Sequence, residues 1–163
     1  MKLLTQTGLR WIWLALVAII ADQCAKLAIM KSIPYMHGVE ITPFFNLVHV
    51  YNTGAAFSFL ADAEGWQRWL FSGLAVAISG VLAIAMVKAP AKCSLANIAY
   101  AFVIGGAIGN LIDRVVYGHV VDFLDFHWKD FYHFAAFNVA DMAISCGAFL
   151  IILDGFLKKP EQK

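Results

Sequence analysis

The chain is poor in charge. Only 14% of its 163 residues are Asp, Glu, Lys or Arg, against about a quarter in an ordinary soluble domain. Its 12 basic and 11 acidic residues give a formal net charge of +1. The basic residues come in ones and twos, with no stripe or groove, so nothing recommends a nucleic-acid partner. Cys24, Cys93 and Cys146 are odd in number and lie in or beside apolar runs. They read as small apolar side chains. No CxxC or HExxH spacing asks for a metal, and no cofactor is expected. His37, His49, His119, His127 and His133 all fall in predicted outer segments. Zinc through His119, Asp122 and His127 is conceivable, but interfacial surface histidine is the plainer reading. A G-x-S-x-G nucleophile, a G-x-G-D motif and a Gly-rich phosphate loop running into Lys are all missing. So are long repeats and low-complexity stretches. With four spans and no inverted repeat, a transporter is disfavoured.

Long apolar runs are what the chain does have, with 61% hydrophobic residues. About 20 residues cross a bilayer as a helix. Spans are predicted near 11–30, 69–87, 93–112 and 137–157, within one integral membrane domain over 1–163. Lys2, Arg10 and the apolar stretch after them resemble a signal peptide. No A-x-A-like cleavage site follows, only Asp22-Gln23-Cys24-Ala25-Lys26, so the first span is read as retained. Lys2, Arg10, Lys88, Lys92, Lys158, Lys159 and Lys163 share the side of the termini. Lys31, Arg68, Arg114 and Lys129 share the other. The positive-inside rule places both termini in the cytoplasm.

The expected class is an all-α membrane protein of four transmembrane helices, with a small extracytoplasmic β-sheet and a membrane-surface loop. The sheet is read from the β-branched and aromatic residues between 39 and 51, inside the longer outer loop 31–65. The surface loop is read from the aromatic density of 117–136, which suits a membrane interface.

Against this background a few polar residues stand out. Asp122 lies in Val120-Val121-Asp122-Phe123 and Asp141 in Phe137-Asn138-Val139-Ala140-Asp141. An ionised carboxylate in hydrocarbon costs roughly 2.5–3.5 kcal/mol even on lenient scales. Two carboxylates sharing one proton form an acid/base pair able to hydrolyse an amide. Asn138 with Asp141 also reads as a helix capping box. A cap does not explain Asp122. Asp22 and Lys26, spaced i, i+4, suit an ion pair that neutralises itself within the bundle. At roughly 12 Å below the outer face, at 1.5 Å per residue, Asp22 is placed too deep for chemistry. Gly105 and Gly109 give the G-x-x-x-G spacing of close helix packing. Asn110, Asp113 and Arg114 form either a polar helix end, with Arg114 at the headgroups, or a substrate-backbone site with an ion pair. Asn52-Thr53-Gly54-Ala55-Ala56-Phe57 could wall a cleft in which Asn52 bonds a peptide.

Taken in order, five blocks resemble the bacterial lipoprotein signal peptidases (signal peptidase II). They are Asp22 to Lys26, Asn52 to Phe57, Gly105 to Arg114, Val120 to Phe123 and Phe137 to Asp141. The resemblance covers nearly the whole chain. It implies an aspartyl endopeptidase of the bacterial cytoplasmic membrane, cleaving prolipoproteins just before a lipid-modified cysteine. It maps the catalytic pair onto Asp122 and Asp141, and supporting polar residues onto Asp22, Asn52, Asn110, Asp113, Arg114 and Asn138. The implied partners are lipid-modified prolipoproteins and membrane lipid, with the chain acting as a monomer. Ala25, Tyr51 and Met142 depart from the residues common in that family. The competing classes are a non-enzymatic membrane scaffold or assembly subunit and a small proton-linked channel.

Overall fold

Prolines and a serine cap set the ends of the long helices. The computed structural model describes residues 2–54, 65–92, 94–128 and 132–157. A short helix α1 (Lys2–Gln6) and a 3-10 turn (Gly8–Trp11) lead into α2 (Trp13–Ser32). The other helices are α3 (Trp66–Lys88), α4 (Leu95–Val116) and α5 (Val139–Leu157). α2 stops at Ile33 and α3 at Ala89, both extended, because each precedes a proline whose ring disfavours the helical region. Ser94 opens α4, its hydroxyl accepting from the Asn97 amide at 3.3 Å. Among the described residues four helices, counting the first from Gly8, are long and apolar enough to cross a membrane.

α4 is the enclosed member of the bundle, with 56% of its span buried against 22% or less for the others. It packs on α2, α3 and α5. Small residues allow this. A Cβ at Gly106 would stand 2.2 Å from the Ala140 carbonyl oxygen, and one at Gly109 2.9 Å from Asp22 Oδ2. Leu16, Val17, Val76, Val81, Phe149 and Ile152 are exposed on the outer faces of α2, α3 and α5, where hydrocarbon is the fitting solvent.

The remaining strands form an antiparallel sheet in the order β1 (Gly38–Thr42), β2 (Phe45–Asn52), β3 (Val120–Trp128), β4 (Tyr132–His133). Residues 120–128, expected within a surface loop, are thus a strand. Their periodicity hides it, since Val120 to Phe123 are buried in succession and show no two-residue alternation. β2 carries an extra residue between Leu47 and Val50, which face Leu124 and Asp122 on β3. A bulge of this kind re-aims the side chains beyond it. His49 sits in it and is buried, with Nδ1 2.8 Å from the Ile33 carbonyl and its ring edge-on to Tyr35 and Tyr51. It is a packed residue rather than the surface histidine expected.

Candidate active site

The segment before α5 delivers the site. Phe137 pairs with Leu124 of β3, its amide 3.1 Å from the Leu124 carbonyl and its carbonyl 2.9 Å from the Leu124 amide. The next residue, Asn138, therefore arrives beside Asp122 as the helix begins. Asn138 Nδ2 donates to Asp122 Oδ1 at 2.6 Å, and Asn138 Oδ1 accepts from the Asp141 amide at 2.9 Å. The Asn138 amide donates to Asp141 Oδ2 at 3.3 Å, completing the reciprocal capping-box pattern. One residue thus caps the helix and joins the two carboxylates.

Each carboxylate takes its other bond from a further amide. Asn52 Nδ2 donates to Asp122 Oδ2 at 3.0 Å, reaching diagonally across the β2–β3 pair. Asn52 Oδ1 is held by the Gly54 amide at 2.9 Å. Asn110 Nδ2 donates to Asp141 Oδ1 at 2.8 Å. Asn110 Oδ1 accepts from Lys26 at 3.0 Å and from Asn138 at 3.2 Å. Because an ammonium can only donate, Lys26 fixes which way the Asn110 amide faces. Among the described residues, neither Asp122 nor Asp141 forms an ion pair.

A second node lies against the first. Lys26 Nζ is 2.8 Å from both Asp22 Oδ2 and Asp113 Oδ2, and all three are fully buried. Asp22 Oδ1 accepts the Ala140 amide at 2.9 Å and Asp113 Oδ2 the Val121 amide at 3.1 Å. These are the residues immediately before Asp141 and Asp122. Gln23 Nε2 closes the node, donating to Asp113 Oδ1 at 2.9 Å and to Asp22 Oδ2 and the Gly109 carbonyl at 3.2 Å.

Two sequence expectations need correction. Asp22 is not remote from the site, since α2 runs ten residues beyond it to Ser32 while α5 starts only at Val139. The aspartate cluster is therefore recessed below the end of α2. Asp113 pairs with Lys26 rather than Arg114. Arg114 is itself buried rather than at headgroups. Its Nη2 donates to the Gly54 carbonyl at 2.9 Å, and its guanidinium lies 5.4 Å from the centroid of the Phe71 ring. Gln23 went unrecognised, because a glutamine beside Asp22 carries no spacing signal. Ala55 to Phe57 of the expected cleft wall lie outside the described residues.

Burial raises the Asp122 pKa from 3.8 to about 7, with Asp141 adding to the shift. The amides of Asn52 and Asn138 and the charge of Lys26 oppose it. Asp141 lines two cavities. One of about 250 Å³ lies between α3, α4 and α5, with Phe71, Leu74, Ala107, Asn110, Arg114 and Ile144 among its walls. The other, about 310 Å³, is lined by Phe134 to Phe137, Met142, Ser145 and Cys146. Among the described residues, no group of three or more His, Cys, Asp or Glu side chains is arranged to hold a metal ion. His119 instead stacks on Tyr51 with ring centroids 3.7 Å apart. The arrangement offers two carboxyl groups joined through Asn138 and held by neutral amides, one of which, Asp141, borders two largely apolar cavities.

Residues 14–157 match the family described as Signal peptidase (SPase) II. A lipoprotein signal peptidase of Tolumonas auensis is 83% identical over 163 residues, covering 100% of this chain and 99% of that one. A lipoprotein signal peptidase of Vibrio parahaemolyticus is 56% identical over 162 residues, covering 98% and 95%. A solved bacterial membrane enzyme, determined by the in meso method at 2.3 Å resolution, superposes with a TM-score of 0.79 at 30% identity, covering 94% and 93% of the two chains. The chain is a multi-pass membrane peptidase and belongs to the signal peptidase II family.

Proposed function

We propose that this chain removes the signal peptide from diacylglyceryl-modified prolipoproteins, cutting just before the lipid-modified cysteine, with Asp122 and Asp141 as its catalytic pair. The observation that carries the assignment is the bridge through Asn138. It joins the buried Asp122 carboxylate to the half-buried Asp141 one, and both have only amide donors for company. One carboxylate takes a proton from a water between the pair. The other, protonated, polarises the scissile carbonyl and then helps protonate the leaving amine. Burial and like-charge repulsion favour one shared proton. The cavities on either side of Asp141 suit an apolar signal segment and a lipid-bearing residue. Asn52, Asn110 and Asn138 hold the pair, and Arg114 faces the cleft.

The charge distribution supports cytoplasmic termini and a site toward the periplasmic face. The chain would act as a monomer on substrate within the lipid of the inner membrane. The test is incubation of the purified protein with a diacylglyceryl prolipoprotein and with its unlipidated precursor. Release of the signal peptide from the lipidated form alone is expected. Intact lipidated substrate would overturn the assignment.

A further inference from the structure

A sizeable cleft lies away from the aspartates, at the end of the bundle that carries the N-terminus. It measures about 750 Å³ and is lined by Leu4, Leu9, Arg10, Leu16, Ile19 and Ile104, among others. Its wall is built by sequence. Thr7 accepts the Leu9 amide at 3.3 Å through its hydroxyl and donates to the Leu3 carbonyl at 2.5 Å, turning α1 into the 3-10 segment. Gly8 donates to the Ala89 carbonyl at 2.9 Å. A Cβ at Gly8 would meet Asn97 Oδ1 at 2.3 Å. Asn97 is fully buried and donates to the carbonyls of Pro90 and Lys92 at 3.2 and 3.1 Å. Trp11 Nε1 donates to the Ala91 carbonyl at 3.3 Å. The segment at 7–11 is therefore pinned to the α3–α4 turn, and the cleft beside it is a fixed feature.

The contents of this cleft are of two kinds. Ile12, Ala15, Leu16 and Ile19, with Trp13, carry an apolar wall along the start of α2 for about 10 Å, at 1.5 Å per residue. At the mouth stands the exposed Arg10, its guanidinium 5.7 Å from the centroid of the Trp11 ring. Among the described residues Arg10 has no carboxylate partner. Lys88 and Lys92, also exposed, lie on the turn pinned to the 7–11 segment. A cation at the mouth of an apolar trough complements one ligand chemistry.

We propose that this cleft binds an anionic glycerophospholipid from the leaflet on the side of the termini, with its phosphate at Arg10 and an acyl chain against Leu16, Ile19 and Ile104. The site is separate from the aspartate cluster, and the proposal does not depend on the peptidase assignment. Native mass spectrometry of the full chain, with dioleoyl phosphatidylglycerol or dioleoyl phosphatidylcholine added at equal concentration, tests it. The wild-type chain should retain phosphatidylglycerol in preference. Arg10→Gln should cut that preference about fivefold, the factor one cation contributes at an anionic lipid surface, with cleavage in detergent unchanged. Ile19→Trp should fill the trough and lower retention of both lipids. Wild-type preference in Arg10→Gln, or undiminished retention in Ile19→Trp, would overturn the proposal. So would a dimer lost in these variants, which would make the cleft an interface between copies.

Discussion

Four aspartates lie in one hydrogen-bonded cluster, and they divide into two unlike pairs. Asp22 and Asp113 share Lys26, each at 2.8 Å. Asp122 and Asp141 lie beside them and take only Asn52, Asn110, Asn138 and backbone donors. The first pair has a cation that holds its charge in place. The second has none in contact among the described residues, the setting in which the proposed function has it share a proton. The two are mechanically joined, because Asp22 and Asp113 bind the backbone amides just before Asp141 and Asp122. The lysine-held node thus positions the pair proposed to be catalytic.

Substitution should separate the pairs by kind of effect. Asp122→Asn and Asp141→Asn keep size and one of the two accepted hydrogen bonds but remove the shared proton. Each should lower turnover by about 10²–10⁴-fold, the usual range for general acid/base catalysis, with thermal unfolding in detergent little changed. Turnover above about a tenth of wild type in either variant would dissolve the distinction. Lys26→Met should act the other way, on the fold. It leaves Asp22 and Asp113 buried without a counter-charge, at a cost of about 3–5 kcal/mol, read as a lower midpoint and poorer yield. Asn138→Ala removes the residue that joins Asp122 to Asp141. It should cost about 1 kcal/mol as a lost helix cap and also lower turnover, since Asp122 loses its shortest bond.

Acidity gives a smaller but sharper contrast. Burial holds the Asp122 carboxyl at about 7 in the fold, against 3.8 in the free chain. Between about pH 4 and pH 7 the folded state keeps a proton that the unfolded state has released. Stability should therefore fall as pH rises through that window and level off above it. Asp122→Asn should flatten the slope. Strong chelator should leave turnover unchanged, because a carboxylate pair can activate water by itself. Loss of activity restored by zinc would contradict this.

The four spans were legible because apolar runs of their length have few other uses. Their ends were less so. Asp113 and Arg114 read as a helix terminus, yet α4 continues to Val116 because Lys26 on α2 and the Gly54 carbonyl receive them. Asp122 and Asp141 stood out as carboxyls among apolar neighbours. Their connection did not, since it depends on Phe137 pairing with Leu124 across 12 intervening residues. The third strand was hidden by burial on both faces, and His49 by the bulge that turns it inward. The Asn138 capping box was read correctly, but as a rival to the site. In the fold the cap and the site use the same bonds.

The central claim is that Asp122, held by amides and paired with Asp141, exchanges a proton near neutral pH. Infrared difference spectroscopy of the carboxylic-acid C=O stretch, titrated from pH 4 to pH 9, tests it directly. The wild-type chain should show a protonated-carboxyl band that disappears near pH 7, and Asp122→Asn should lack that transition. A wild-type spectrum with no such band, or a transition that survives unchanged in Asp122→Asn, would contradict the account.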